Sequence, residues 1–340
     1  MTEPQKRSAI DSSTWGLILG MISSIAYMTA NLGLRSVAGG HESMSDVDWA
    51  IWVATNRVFP VVTTAWTVVA IRALRGLKAL PPAKIVLPLI ATGLFMQWGG
   101  NVGFQFALSR VGLAITVPLT FATVLLSAAI VGRLVINDPL TPYTVWAMVA
   151  MMGAVTVLSQ GTERATAAMV QQSDIMTIVL GVGTACLAGV AYGSGGVMIR
   201  RCVTGDISQS AVIAVLSSTG FISLGSASLW RIGLDKLLET PVDQWLRMLG
   251  AGVATAVAFF AITGAYRFLT TIKVNLLNAS QAAMAAVAGV LLFDEPNTIW
   301  LQLGTILTIV GLILSAQRDK PEQSRQKAPE TASTTSVDAD

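Results

Sequence analysis

The sequence predicts an all-α integral membrane protein whose ten transmembrane helices form two inverted five-helix repeats. Hydrophobic residues make up 53% of the 340 residues and charged residues only 12%, about half the charged share of a typical soluble domain. Most apolar segments have about 20–25 residues, and about 20 are needed to cross a bilayer. Five such segments lie between Trp15 and Ser159, and five more lie between Ile175 and Ala316.

The ten predicted helices are called segments one to ten in chain order. Segment one follows a polar stretch, residues 1–14, and no small-residue cleavage site accompanies it, so we expect it to stay as a helix. Residues 15–159 form the first predicted repeat, residues 175–316 the second, and residues 317–340 a disordered cytoplasmic tail rich in polar residues. The predicted segments cover 15–37, 49–74, 85–107, 112–132, 143–159, 175–199, 209–230, 245–268, 271–293 and 298–316.

Matching residues link the two halves. Ala26-Tyr27 in segment one is followed by Arg35, and Ala191-Tyr192 in segment six is followed at the same spacing by Arg200. The ends of segments four and nine read Asn137-Asp138-Pro139 and Asp294-Glu295-Pro296. Each half has an odd number of crossings, so the second half is inverted relative to the first. Inverted repeats are typical of secondary transporters, which bind substrate between the halves.

The basic residues sort by predicted topology rather than forming a nucleic-acid surface. With both termini in the cytoplasm, fifteen of the 22 Lys and Arg residues lie on the inner side. The outer side receives six, namely Arg35, Arg110, Arg164, Arg231, Lys236 and Arg247. Basic loop residues stay cytoplasmic during insertion, so we expect an integral protein of a bacterial inner membrane with both termini inside and no nucleic-acid partner.

The residues needed for intramembrane catalysis are missing from the predicted segments. His41 is the only histidine and lies in a predicted outer loop, and no acidic residue lies in the middle of a segment. A serine in Gly193-Ser194-Gly195 therefore has no base to activate it. No glycine-rich phosphate loop is present, and the two cysteines, Cys186 and Cys202, cannot form a metal cluster. The sequence predicts no enzyme, cofactor or metal.

Polar side chains form stripes at helical spacing along four segments. Spacings of three and four residues put them on one face of a helix, and amides in hydrocarbon need a partner or water. Two interpretations stay open: a polar cavity between the halves, or hydrogen bonds that hold helices together. The stripes are Gly20, Tyr27 and Asn31; Gly93, Gln97, Asn101 and Gln105; Thr116, Thr120, Thr123 and Ser127; and Asn275, Asn278 and Gln281.

Arg57 is the one charged residue well inside a predicted segment, about 12 Å along the helix from Trp49. A charge at this depth is costly unless it reaches water or a partner. We expect its partner to be a carbonyl, an amide, a loop carboxylate or the substrate; a purely structural, snorkelling arginine is the alternative. A guanidinium suits a carboxylate or phosphate. The predicted substrate-binding residues are Arg57, Tyr27, Asn31, Gln97, Asn101, Tyr192 and Asn278.

Two stretches resemble the EamA-type branch of the drug/metabolite transporter superfamily. One is "FQFALSRVGLAITVPLTFATVLLSAAIVGRLVINDPLTPYTVWAMVAMMGAVTVLS", residues 104–159, and the other is "YRFLTTIKVNLLNASQAAMAAVAGVLLFDEPNTIWLQLGTILTIVGLILSA", residues 266–316. The resemblance implies ten helices in two inverted five-helix repeats. Each repeat of the family ends with a helix carrying an early proline and a terminal glutamate, a short turn with threonine, and a last helix bearing glycine.

Individual residues fit this family pattern only in part. Pro118 and Glu295 each fit one element, and Gly153 and Gly311 fit the last helices. An arginine in the second helix is common in the family, and Arg57 matches it. The sequence departs from the pattern at Asn137-Asp138, where a glutamate is expected, and at Asn278, near the expected place of the second proline.

The sequence therefore predicts a secondary transporter, in the exporting direction, for small polar metabolites such as amino acids or related zwitterionic and anionic solutes. A non-transporting membrane scaffold or sensor is the alternative. Because no acid lies mid-segment, we expect uniport, exchange or coupling through another group. The expected partners are a small-molecule substrate and the lipid bilayer, and a homodimer is left open.

Overall fold

A computed structural model describes residues 12–37, 44–160, 175–205, 207–284, 287 and 298–316. Every regular element in these ranges is a helix. In chain order they are α1 Ser12–Arg35, α2 Asp46–Leu74, α3 Ala83–Leu94, a π-helical stretch Phe95–Val102, α4 Gly103–Ile136, α5 Pro142–Gln160, α6 Ile175–Thr204, α7 Gln209–Arg231, α8 Leu234–Leu238, α9 Val242–Ala265, α10 Thr271–Ala279 and α11 Ile299–Ala316. The predicted all-α class is confirmed.

Seven helical spans in the described ranges are long and apolar enough to cross a membrane, in agreement with the predicted membrane class. Predicted segments five and ten correspond to shorter apolar helices, 142–157 and 302–314. Predicted segment nine, 271–293, lies only partly within the described residues. His41, Asp294-Glu295 and the predicted tail, 317–340, lie outside them. The short helix α8 was not predicted.

Predicted segments three and four form a hairpin. A non-helical connection was predicted at 108–111, but the backbone there is helical. Along α6, Gly103 faces Thr184 and Val111 faces Gly181, so this part runs antiparallel to α6. Thr120 and Ser127 then hydrogen-bond to Ala185 and Gly189, so the next part runs parallel. The chain thus reverses between Val111 and Thr120.

The main packing contacts join helices from different halves of the chain. Helix α1 packs on α9, α2 on α7 and α9, α4 on α6, and α5 on α11. Glycines permit the close approach: a Cβ on Gly20 would overlap Leu277, and one on Gly189 would overlap Thr123. Small residues at helix interfaces let backbones approach closely within membranes. The core therefore lies between the halves rather than within either of them.

Ion pairs mark one end of the bundle, where α2 begins. Ser45 caps α2 by accepting a hydrogen bond from the Asp48 backbone N–H at 3.2 Å, and acidic residues in the first turn suit the helix dipole. Asp46 pairs with Arg110 at 2.7 Å and Asp48 with Arg231 at 2.6 Å. Arg110 and Arg231, two of the six basic residues predicted on the outer side, therefore lie at the end of the bundle where α2 begins.

A buried cluster lies where α4 ends and joins the two halves. Asn137 ends α4 in the left-handed conformation with a φ of 52°, and the next residue, Asp138, is only 3% exposed. The Asp138 carboxylate pairs with Arg200 at 3.2 Å and accepts a hydrogen bond from the Thr271 backbone N–H at 2.9 Å. Arg200 also donates to the Leu269 carbonyl. We call Asp138, Arg200, Thr271 and Leu269 the Asp138 cluster.

Candidate functional site

A cavity of about 140 Å³ lies between the two halves, a volume similar to that of cavities that hold one small organic molecule. All seven residues predicted from the sequence to bind substrate line this cavity: Arg57, Tyr27, Asn31, Gln97, Asn101, Tyr192 and Asn278. They come from α1, α2, the π-helical stretch, α6 and α10. The polar stripes therefore meet at one place, as the cavity interpretation expects.

Arg57 is held at the cavity wall by a hydroxyl group. Its side chain is 7% exposed, and its Nε donates to Thr255 Oγ1 at 3.0 Å. Thr255 in turn donates to the Ala251 carbonyl at 2.8 Å. Within the described part of the chain no carboxylate pairs with Arg57. A hydroxyl partner was not among the groups predicted for it.

Two tyrosines and a tight helix contact surround Arg57. Its positive charge interacts electrostatically with both Tyr27 and Tyr192, the pair at equivalent positions of the two halves. Pro60 lies inside α2, and a Cβ on Gly252 would sit 2.8 Å from both the Arg57 carbonyl oxygen and the Pro60 ring. Helix α9 therefore packs directly on the backbone of α2 at Arg57.

The π-helical stretch carries a chain of hydrogen bonds into the cavity. Tyr192 Oη donates to Asn101 Oδ1 at 2.7 Å, and Asn101 Nδ2 donates to Gln97 Oε1 at 2.5 Å. Gln97 packs on Gly220, where a Cβ would overlap it. Short π-helical segments are frequent at functional sites, and this one places both amides at the cavity wall. Gln105, from the same stripe, is buried but does not line the cavity.

A second network uses its polar groups to join helices. Asn31 Nδ2 donates to Gln281 Oε1 at 2.8 Å, and Gln281 Nε2 donates to the Asn278 carbonyl at 2.8 Å. Asn278 also accepts from Ser23 Oγ at 3.1 Å and donates to the Val274 carbonyl at 3.1 Å. Asn31 and Asn278 therefore fit both interpretations of the stripes, because they line the cavity and also hydrogen-bond to distant parts of the chain.

One face of α9 forms a wall of the cavity that the sequence did not single out. Thr255, Phe259, Ile262 and Tyr266 all line it, at spacings of four, three and four that place them on one helical face. Tyr266 Oη donates to Asn275 Oδ1 at 3.2 Å. The sequence indicated Asn275 through its stripe with Asn278. It did not indicate Tyr266, which follows the last residue of α9 and belongs to no polar stripe.

The wall along α9 is polar at both ends and apolar between them. Thr255 and Arg57 form one polar end, Tyr266 and Asn275 form the other, and Phe259 and Ile262 lie between. Among the described residues no group of three or more His, Cys, Asp and Glu side chains could hold a metal ion. Chemically, the cavity offers a guanidinium, amides and phenols to an anionic or zwitterionic solute, together with an apolar surface.

Comparison with known proteins supports the membrane class. Residues 179–317 match the EamA-like transporter family, so the resemblance predicted from the sequence is confirmed in the second half of the chain. A crystal structure of another protein is similar at a TM-score of 0.66 and 15% identity, covering 88% of this chain and 97% of that one. At this identity the likeness shows the fold alone. No curated protein matches the chain.

Proposed function

Because residues 179–317 match the EamA-like transporter family, we propose that the chain is a secondary transporter that exports small polar metabolites by alternating access. Its substrates are amino acids or related zwitterionic and anionic solutes. The observation that carries the proposal is the cavity between the halves, in which the buried Arg57 has a hydroxyl partner and no described carboxylate. A guanidinium in that position is available to a substrate carboxylate.

The helix pairing supports ten membrane helices in two inverted repeats. Segment one packs on segment eight, and segment three packs on segment six. Segment two packs on segment seven, and segment five packs on segment ten. Each contact therefore has a counterpart when segments one to five are exchanged with six to ten. In this arrangement both termini are cytoplasmic, the Asp138 cluster lies toward the cytoplasm, and the ion pairs at the start of α2 lie outside. Transporters of this architecture bind substrate at the interface of the repeats.

We expect purified protein in lipid vesicles to carry labelled amino acids or related solutes with saturable kinetics. Carboxylates and zwitterions should move faster than cations of the same size, because Arg57 repels a positive charge and no described acid balances it. The measurement is initial flux over a range of substrate concentrations, with protein-free vesicles as the control. A panel without saturable flux would contradict the proposed function.

The alternative, a scaffold or sensor without transport, has its support in the second network. The side chains of Asn31 and Asn278 hydrogen-bond across helices, as residues that only hold a bundle together do. The two functions differ in whether the cavity is open to water at any stage. A scaffold needs no water-filled path, whereas alternating access requires one.

A cysteine placed at Gln97 should react with a membrane-impermeant, water-soluble thiol reagent, since Gln97 lines the cavity. The background for this test replaces both native free cysteines, Cys186 and Cys202. The matched control is a cysteine at Met248, which is fully buried in a packed cluster away from the cavity. Equal, negligible labelling at both positions would favour the scaffold.

A further inference from the structure

Asn275 has a hydrogen-bond donor without a partner. The residue lines the cavity and is only 5% exposed, and its Oδ1 accepts the hydroxyl proton of Tyr266. Its Nδ2 has no hydrogen-bond partner among the described residues. Asn278, one turn further along the chain, differs because its Nδ2 donates to the Val274 carbonyl. Of these two neighbouring asparagines, only Asn275 has an Nδ2 that makes no hydrogen bond to a described residue.

An unused donor at this depth has a physical cost. A buried amide N–H without an acceptor loses its hydration and gains nothing in return, and such groups in native structures usually have a ligand, water or a functional reason. Rotating the amide would let Nδ2 donate to Tyr266 Oη but would leave Oδ1 without a donor, so one polar atom of the amide lacks a partner in either orientation. The side chain of Asn275 borders the cavity.

Resting on the proposed transport function, we propose that Asn275 determines specificity by donating a hydrogen bond from Nδ2 to the substrate. The substrate then carries an acceptor oxygen, a hydroxyl or a carbonyl, at the end remote from the anionic group that pairs with Arg57. Asn275 hydrogen-bonds to that distant oxygen, while Arg57 pairs with the anionic group.

The separation of the two polar ends supports this assignment. Tyr266 follows Thr255 by eleven positions on the α9 face, which is about three helical turns. Phe259 and Ile262 lie between them, so the middle of the substrate contacts apolar side chains rather than polar groups. A solute with one charged end, a short apolar centre and a polar far end satisfies all three regions, whereas an alkyl carboxylate leaves the Asn275 donor unpaired.

The test compares matched linear carboxylates of equal length that end in a hydroxyl or in a methyl group. Wild-type protein should prefer the hydroxyl compound by about tenfold or more in KM, because a site that hydrogen-bonds an oxygen rejects the analogue lacking it. Asn275→Leu keeps the size of the side chain and removes the donor, so the preference should fall to about one. Binding is also measured in detergent as a ligand-dependent rise in Tm.

Tyr266→Phe is the matched control, because it removes the hydroxyl bonded to Asn275 but leaves the Nδ2 donor in place. We expect this variant to retain the preference for the hydroxyl compound, whatever its maximal flux. A preference unchanged in Asn275→Leu, or lost equally in Tyr266→Phe, overturns the assignment of Asn275. If wild-type protein neither binds nor carries either carboxylate or any solute of the wider panel, the proposed function fails instead.

Discussion

Replacing Arg57 with glutamine should reduce the flux of a carboxylate substrate at least tenfold, whereas replacing it with lysine should leave partial transport. Charged hydrogen bonds contribute about 1.5–3 kcal/mol, and 1.4 kcal/mol corresponds to a factor of ten in binding. Glutamine removes the charge of Arg57, and lysine keeps the charge but loses the planar pair of donors. The effect should appear mainly in KM, because the guanidinium binds the anionic group of the substrate.

The matched control is Arg75→Gln, which changes an exposed arginine just beyond the end of α2 and far along the helix from the cavity. It should transport like wild type. Folded protein is measured for every variant by gel filtration and thermal unfolding in detergent. Wild-type flux in Arg57→Gln would refute substrate pairing. Loss of folded protein in both Arg57 variants would assign the residue to structure, with the bond to Thr255 as its role.

The second large effect is expected at the Asp138 cluster, where Asp138→Ala should lower the free energy of unfolding by about 3–5 kcal/mol. The variant leaves Arg200 largely buried without its carboxylate and the Thr271 N–H without its acceptor. Asp138→Asn should be less severe, because its amide oxygen can still accept from Thr271. The measurement is reversible unfolding of the purified protein in detergent.

A surface ion pair of the same chemical type provides the comparison for that effect. Asp243 and Arg247 are 3.5 Å apart, with 62% and 51% of their side chains exposed. Exposed pairs contribute about 0–1 kcal/mol, so Asp243→Ala should be nearly neutral. Equal losses from Asp138→Ala and Asp243→Ala would mean that burial does not strengthen the Asp138 cluster. In the double variant Asp138→Asn/Arg200→Gln, the loss should be smaller than the sum of the two single losses, since the residues interact.

The cavity lining could be predicted from the sequence where the signal was local. A lone arginine in an apolar segment, amides four residues apart and two tyrosines at matching repeat positions are visible without any structure. These signals identified Arg57, Gln97, Asn101, Tyr27 and Tyr192, all of which line the cavity. Helical periodicity and the cost of a polar group in hydrocarbon were sufficient for that part.

The remaining features depend on contacts between distant residues. Thr255 supports Arg57 from another helix, and threonine in a membrane helix most often bonds its own backbone, so no sequence feature distinguishes Thr255 from other threonines. Tyr266 enters the site only because α9 ends beside α10. The π-helical geometry of 95–102 has no sequence signature of its own, and the helical backbone through 108–111 has none either.

The pairing of α1 with α9 also sets an order of events during synthesis. Helix α1 ends at Arg35, and its main partner begins at Val242. At about 5–20 residues per second, roughly 10–40 s pass before α9 has been made. Over that interval Asn31 and Ser23 lack Gln281 and Asn278, their hydrogen-bond partners from the second half. The insertion machinery, lipid headgroups or trapped water must satisfy these polar groups until the second half arrives.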